Sequence, residues 1–246
     1  MTVSRDPFFD CARLPFEWWR VAIPAVLLAM TGINSPAATP AYLHQALSEF
    51  NPVNPPGWAY TLTTRREDRT ISERHDPSKP PGGQWVLLTM DGRSPTAEET
   101  EKYGRARSAG PGGSQANFTK ADIEPGSLQL IRETQDHAEF SAEFREAATG
   151  ADKMLGHLLL RLKVDKRVPY VSAYILELKE PYSPILGVKM QELRVEALFR
   201  PPNGDQPSLL SQMTSHFAGR IFFFSTGEDL RLTYQDYTPP PNELSR

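Results

Sequence analysis

The amino-acid sequence predicts an α+β protein built around a single antiparallel sheet. Three observations lead there. About ten segments have strand length and strand-like alternation. Short turns join most of them, which suits an antiparallel meander. Two or three helical patterns stand apart from the strands, whereas parallel winding would need a helix after each strand. No fixed-period repeat occurs. The chain of 246 residues is long enough for one large domain or two small ones. The Gly-rich stretch at Ser108–Ser114 is the best candidate boundary, but the strands after it are few and long, so residues 38–246 are read as one domain.

The elements follow in order. In "AYLHQALSEF" the apolar residues Leu43, Leu47 and Phe50 recur at helical spacing, and "NPVNPPG" ends that helix. "WAYTLTT" places Trp58, Tyr60 and Leu62 on one strand face, with "RTISERHD" as its partner across the charged "RREDR" turn. "QWVLLTM" is apolar on both faces. An Asp91-Gly92 turn leads to Thr96 and Glu99 at capping-box spacing, which predicts a polar helix over Ala97–Arg107. Ser127–Thr134 and His137–Glu146 read as a hairpin with Phe140 and Phe144 on one face, and a helical turn is expected near Ala151–Leu155. "HLLLRLKVD" sets Leu158, Leu160, Leu162 and Val164 on one face, and "VKMQELRVEALF" does the same for Leu193, Val195, Ala197 and Phe199. "PSLLSQMTSHFAG" reads as a helix or an extended cover. Last comes "GRIFFFSTGEDLRLTYQDY", in which a strand would turn Phe222 and Phe224 to one side and Phe223 to the other. Both sides of that strand then need cover.

Composition narrows the class. Hydrophobic residues at 39% and charged residues at 23% fit a globular chain. A net charge of −3 lacks the basic surplus of a dedicated nucleic-acid binder. Arg13 and Arg20 precede the apolar run Val21–Gly32, and small residues follow, which is the plan of a secretory signal peptide over residues 1–37. The run is shorter than the roughly 20 residues of a membrane span. A long leading region holding Asp6, Asp10 and Glu17, with Pro24 inside the run, is atypical, and an N-terminal anchor or a buried helix is the competing reading. The single Cys11 lies inside the expected leader, so the mature chain would carry no thiol, and a periplasmic location is expected.

No catalytic motif stands out, and the chain is read as non-enzymatic with no cofactor and no metal. His75 beside Asp76 suggests a base and its orienter, but strand neighbours point oppositely and Asp-Pro is common turn chemistry. No "GxSxG" elbow activates Ser72 or Ser78. The five histidines are far apart, with no ligand-like spacing. "GPGG" at Gly110–Gly113 lacks the Lys-Ser/Thr of a phosphate loop.

The order of a helix, antiparallel strands, an inserted helix and further strands resembles the lipoprotein-carrier superfamily that includes LolA, LolB and the N-terminal part of RseB. The closing "LRLTYQDYTP" and the pair "KVDKRVPYVSAYILEL" and "VKMQELRVEALF" carry the likeness, which spans Ala41 to Thr238. The resemblance implies a curved sheet forming an open, incomplete β-barrel, with helices as a lid over an apolar hollow. It implies a lipid or the acyl chain of a lipoprotein as ligand, with only transient membrane contact. The expected wall residues are Leu158, Leu160, Leu162, Val195, Phe199, Phe222 and Phe224. Two alternatives stay open. Lid helices could fill the hollow completely, or the protein could be an envelope-sensing or protein-interaction module without lipid cargo, gripping another envelope protein.

Overall fold

The computed structural model describes residues 39–108, 118–146 and 153–241. The expected signal peptide with Cys11, and the Gly110–Gly113 loop, lie outside the described residues. Helix α1 (Ala41–Glu49) leads into strands β1 (Ala59–Arg66), β2 (Arg69–His75) and β3 (Trp85–Met90), followed by helix α2 (Ala97–Ser108). Then come β4 (Gln129–Glu133), β5 (His137–Ala142), β6 (Leu158–Asp165), β7 (Tyr170–Leu178), β8 (Val188–Arg200), β9 (Leu209–Ile221) and β10 (Phe224–Thr238). All ten strands join one sheet in the order β3-β2-β1-β10-β9-β8-β7-β6-β5-β4, with every described pairing antiparallel. The sheet is curved and open, with β3 and β4 as its edges.

Register separates its two faces. On one face Leu232 lies opposite Met213, Met213 opposite Ala197, Ala197 opposite Tyr174, Tyr174 opposite Leu162, and Leu162 opposite Phe140. All six are buried. The neighbouring row runs Thr233, Gln212, Leu198, Ala173, Lys163, Glu139, and it belongs to the other face. The apolar face is covered by α1, through Leu43, Ala46 and Phe50, and by the segment carrying Phe118 and Ile123. Tyr174 is the hub, with the rings of Phe118, Phe199 and Phe50 at 5.3, 6.0 and 6.2 Å. We call this the covered face and its opposite the open face.

The expectations for α1 and α2 hold closely, because their signals are local, while the start of the turn expected near Ala151–Leu155 lies outside the described residues. At α2 the Thr96 amide donates to Glu99 Oε2 at 2.8 Å while the Glu99 amide donates to Thr96 Oγ1 at 3.2 Å. This closes the box that the sequence spacing predicted. One open alternative is decided and one expectation fails. The "LLSQMTSHF" segment is extended rather than helical: it is strand β9, paired with β8 throughout and with β10 from Gln212 onward. Phe222 and Phe224 do not share a strand face. Ile221 pairs directly with Phe224, so Phe222 and Phe223 are the two turn residues of the β9–β10 hairpin. The chain reverses inside the phenylalanine run, and period-two reasoning stops there.

Helix α2 covers β2 and β3 through polar groups. Glu73 is buried, its carboxylate accepts from Tyr103 Oη at 2.7 Å, and Arg107 forms an ion pair with it. The Arg107 guanidinium also stacks 4.2 Å from the Trp85 ring centroid. Replacing one member of a buried ion pair costs about 3–5 kcal/mol because the other charge is stranded. Arg107 retains some access to water, so Glu73→Ala is expected to destabilise by about 3 kcal/mol, measured as a lowered urea midpoint. A small change would show that α2 contributes nothing to holding this end of the sheet.

Glu99 sets a pH limit. A hydrogen bond from Arg93 and another from the Thr96 amide hold its carboxyl down at about 2, against an ordinary 4.5. A depressed carboxyl stabilises above its unfolded value and ceases to do so as pH falls through the folded one. The first turn of α2 is therefore expected to fray as pH drops from 4.5 toward 2, seen as Thr96 and Glu99 amide resonances moving to coil positions.

Candidate functional site

The feature that departs most from ordinary folding chemistry is an apolar crest at one end of the sheet. Two connections build it, the β7–β8 loop and the β9–β10 turn. The loop is a formed structure. Tyr182 and Met190 exchange backbone hydrogen bonds at 3.0 and 2.8 Å, and His157 stacks on Tyr182 with centroids 3.7 Å apart. At its end Gly187, with φ +83°, turns its carbonyl to accept from the Phe222 amide. A Cβ on Gly187 would sit 2.7 Å from the Phe222 ring, so only glycine lets the two connections meet. The outcome is a contiguous group of Ile185, Leu186, Ile221, Phe222, Phe223 and Phe224, all exposed. Leu186 is 98% exposed, Phe223 89% and Phe224 77%.

Backbone chemistry sharpens the point. Phe222 has φ +53°. Two-residue hairpin turns place Gly, Asn or Asp at such a position, and a bulky residue there carries strain of about 1–2 kcal/mol. A strained conformation is thus kept while a large ring is left in water. Neither choice serves stability. Phe222→Gly is expected to leave stability unchanged or raise it by up to about 1 kcal/mol, read from the thermal midpoint. A clear destabilisation would make the ring a structural element.

Directly behind the crest stand Lys189 and Arg220, opposite each other across β8 and β9, both exposed and without an ion-pair partner among the described residues. Aromatic rings ahead of a pair of cations form an amphipathic tip.

Five of the seven expected wall residues are brought together and two are not. Leu158, Leu160, Leu162 and Phe199 are buried on the covered face, with Val195 half-buried beside them. Side chains of α1 and of the Phe118 segment belong to the same cluster. Phe222 and Phe224 lie outside that group, on the crest. Sequence reasoning missed Ile185 and Leu186. The available signal was an apolar pair between Pro184 and Gly187, in a loop where polar residues are usual.

His75 and Asp76 are not arranged as a base and its orienter. Asp76 accepts from the Ser78 amide and hydroxyl at 3.1 and 2.6 Å, which is a local turn rather than the orientation of His75. Burial pushes the His75 imidazole below its ordinary value, and its ring lies among Trp85 and Tyr60 at 4.5 and 4.9 Å. Among the described residues no three His, Cys, Asp or Glu side chains gather as metal ligands. No described helix is long and apolar enough to cross a membrane. No known protein family, curated protein or solved structure matches this chain.

Proposed function

We propose that this protein is a non-enzymatic lipid-binding protein of the cell envelope that engages the acyl region of a membrane surface, transiently, through its apolar crest. The observation that carries the reading is the exposed group Ile185, Leu186 and Ile221–Phe224, built at the expense of a strained Phe222. Each such side chain removed from water gains roughly 1.5–3 kcal/mol. A handful therefore supplies reversible attachment without a transmembrane span. Shape and charge favour a bilayer over a protein partner. Stable protein interfaces cover about 800 Å² on each side, whereas the crest is two adjoining loop tips. Lys189 and Arg220 sit where anionic headgroups would meet a tip sunk into the acyl boundary. The expected leader and the resemblance to lipoprotein carriers support an envelope setting.

A cargo on the covered face is a different matter. Leu158, Leu160 and Leu162 belong to the same buried cluster as Leu43 and Ala46 of α1 and the adjoining Phe50, so an acyl chain entering there would compete with those contacts. A second reading, a protein-interaction module, draws on edge strand β4. All five of its residues are exposed, with Leu130 and Ile131 about half in water, so an extended partner could add a strand there.

Cosedimentation with phosphatidylethanolamine–phosphatidylglycerol vesicles tests the leading reading. The chain is expected to bind, and replacing Phe222, Phe223 and Phe224 together by Ser is expected to weaken partitioning at least ten-fold with the fold intact. Wild-type protein that stays in the supernatant, or a triple variant that sediments equally well, would reject it.

A further inference from the structure

We infer that the open face carries an oxyanion site, separate from the crest, in which Arg65 and Arg231 together clasp a phosphoryl group. The two arginines are direct partners across β1 and β10, and Arg231 is in turn the partner of Thr214 on β9. They line a hollow of about 380 Å³ with Thr214, the Ser215 backbone, Arg194 and His216.

Charge accounting leaves two arginines of the hollow unmatched. Asp229 is tied to His216 Nδ1 at 2.7 Å, and Glu192 lies 3.5 Å from the other ring nitrogen. Glu228 pairs with Arg66 at 3.1 Å. Glu177 pairs with Arg161 at 2.9 Å and with Arg194, which also meets Glu196 at 3.6 Å. Glu67 lines the hollow too, but it reaches neither arginine within ion-pair distance. Among the described residues, Arg65 and Arg231 are thus left facing each other without an acid. Like charges directly opposite in a sheet are destabilising, so the pair is one the fold alone would select against.

Geometry chooses the anion. Side chains at opposite positions start about 4.5–5.5 Å apart, close enough for two guanidinium forks to converge on one group. A carboxylate has two oxygens, which a single fork satisfies. A phosphoryl group has three, enough to serve both forks, with the Thr214 hydroxyl as a further donor. Arg231 lies seven residues along β10 from Phe224, which is roughly 23 Å of strand. A headgroup held at the crest does not reach it, so the two sites are independent.

The test is calorimetric titration with glycerol 3-phosphate at low ionic strength, beside acetate at matched ionic strength. A parallel arm uses phosphatidic acid vesicles with the crest triple-Ser variant, to distinguish a soluble phosphate from a lipid headgroup. Saturable phosphate binding is expected, with acetate at least ten-fold weaker. R65Q and R231Q are each expected to weaken phosphate at least ten-fold, while K102Q, an exposed position on α2 remote from both sites, leaves it unchanged. Both arginines are exposed, so the variants are expected to fold, and a thermal melt checks this. Binding seen only in the vesicle arm, and lost in R65Q and R231Q, supports the site with a headgroup as its ligand. Absence of saturable binding in both arms would overturn the inference, as would binding that survives the R65Q/R231Q double variant.

Discussion

A sheet of ten strands with one largely apolar face can exist in water only if that face is covered, and here the cover is slight. One nine-residue helix and a short segment around Phe118 and Ile123 close the centre. Their contact converges on Tyr174, which meets Phe50, Phe118 and Phe199 edge-on or tilted. Isolated helices of this length are marginal in water, so α1 exists because Leu43, Ala46 and Phe50 are buried, not the reverse. Everything else depends on this contact. It makes one face a core and leaves the other as an open surface, and it places Leu43 and Ala46 of α1 and the adjoining Phe50 against the strands of the core.

The two edges of the sheet are handled differently. At β3 the cover is α2, a helix of polar composition whose residues 97–107 are half-buried or exposed, held by Tyr103 and Arg107 to the buried Glu73. A charged latch is a specific fastening but a weak one, since desolvation offsets most of its Coulomb energy. At β4 the edge carries Arg132 and Glu133, and a register shift between Leu130 and Arg132 interrupts it. Charges and bulges of that kind discourage indiscriminate strand addition while leaving the edge accessible.

Much of this was legible from residue order. The amphipathic spacing of Leu43, Leu47 and Phe50 gave α1, and Thr96 with Glu99 gave the start of α2, because such signals lie within a turn or two. Alternation in Leu158, Leu160, Leu162 and Val164 placed these residues on one shared face, since strand periodicity reports burial wherever one side is covered. What periodicity could not report was whether the covering group is a helix or a ligand, because both leave the same apolar record. The segment now seen as β9 was ambiguous for a related reason. Leu209, Leu210, Met213 and Phe217 fit a helical spacing, and pairing with β8 and β10, a long-range property, decided the matter. The crest was missed through a false assumption, that three phenylalanines in a row must seek cover. The cue that a turn falls there, glycine or asparagine, is missing from the turn itself. Gly219 stands nearby for another purpose, because a Cβ there would come within 2.6 Å of the Lys189 carbonyl.

Sequences that fold reliably tend to agree with themselves at every level, and local disagreements concentrate where function is served. Three disagreements stand out in this chain. Phe222 occupies a glycine's conformation and faces water. Arg65 and Arg231 oppose each other without an acid. Glu73 is buried as a charge. The third is resolved internally, since Tyr103 and Arg107 satisfy it. The first two have no internal resolution among the described residues. Both are surface features, where replacement by Asn-Gly or by a Glu-Arg pair would meet no packing obstacle. An exposed apolar tip asks for an apolar phase, and an unpaired cation couple asks for an anion. Both demands involve the β9–β10 hairpin, whose turn carries part of the crest and whose β10 holds Arg231 seven residues from Phe224, opposite Arg65 of β1. That hairpin pairs with β1 on one side and β8 on the other, so the spacing between the sites is fixed by the ladder. A body held at the crest would therefore present the arginine hollow at a set height above the surface, facing the aqueous side.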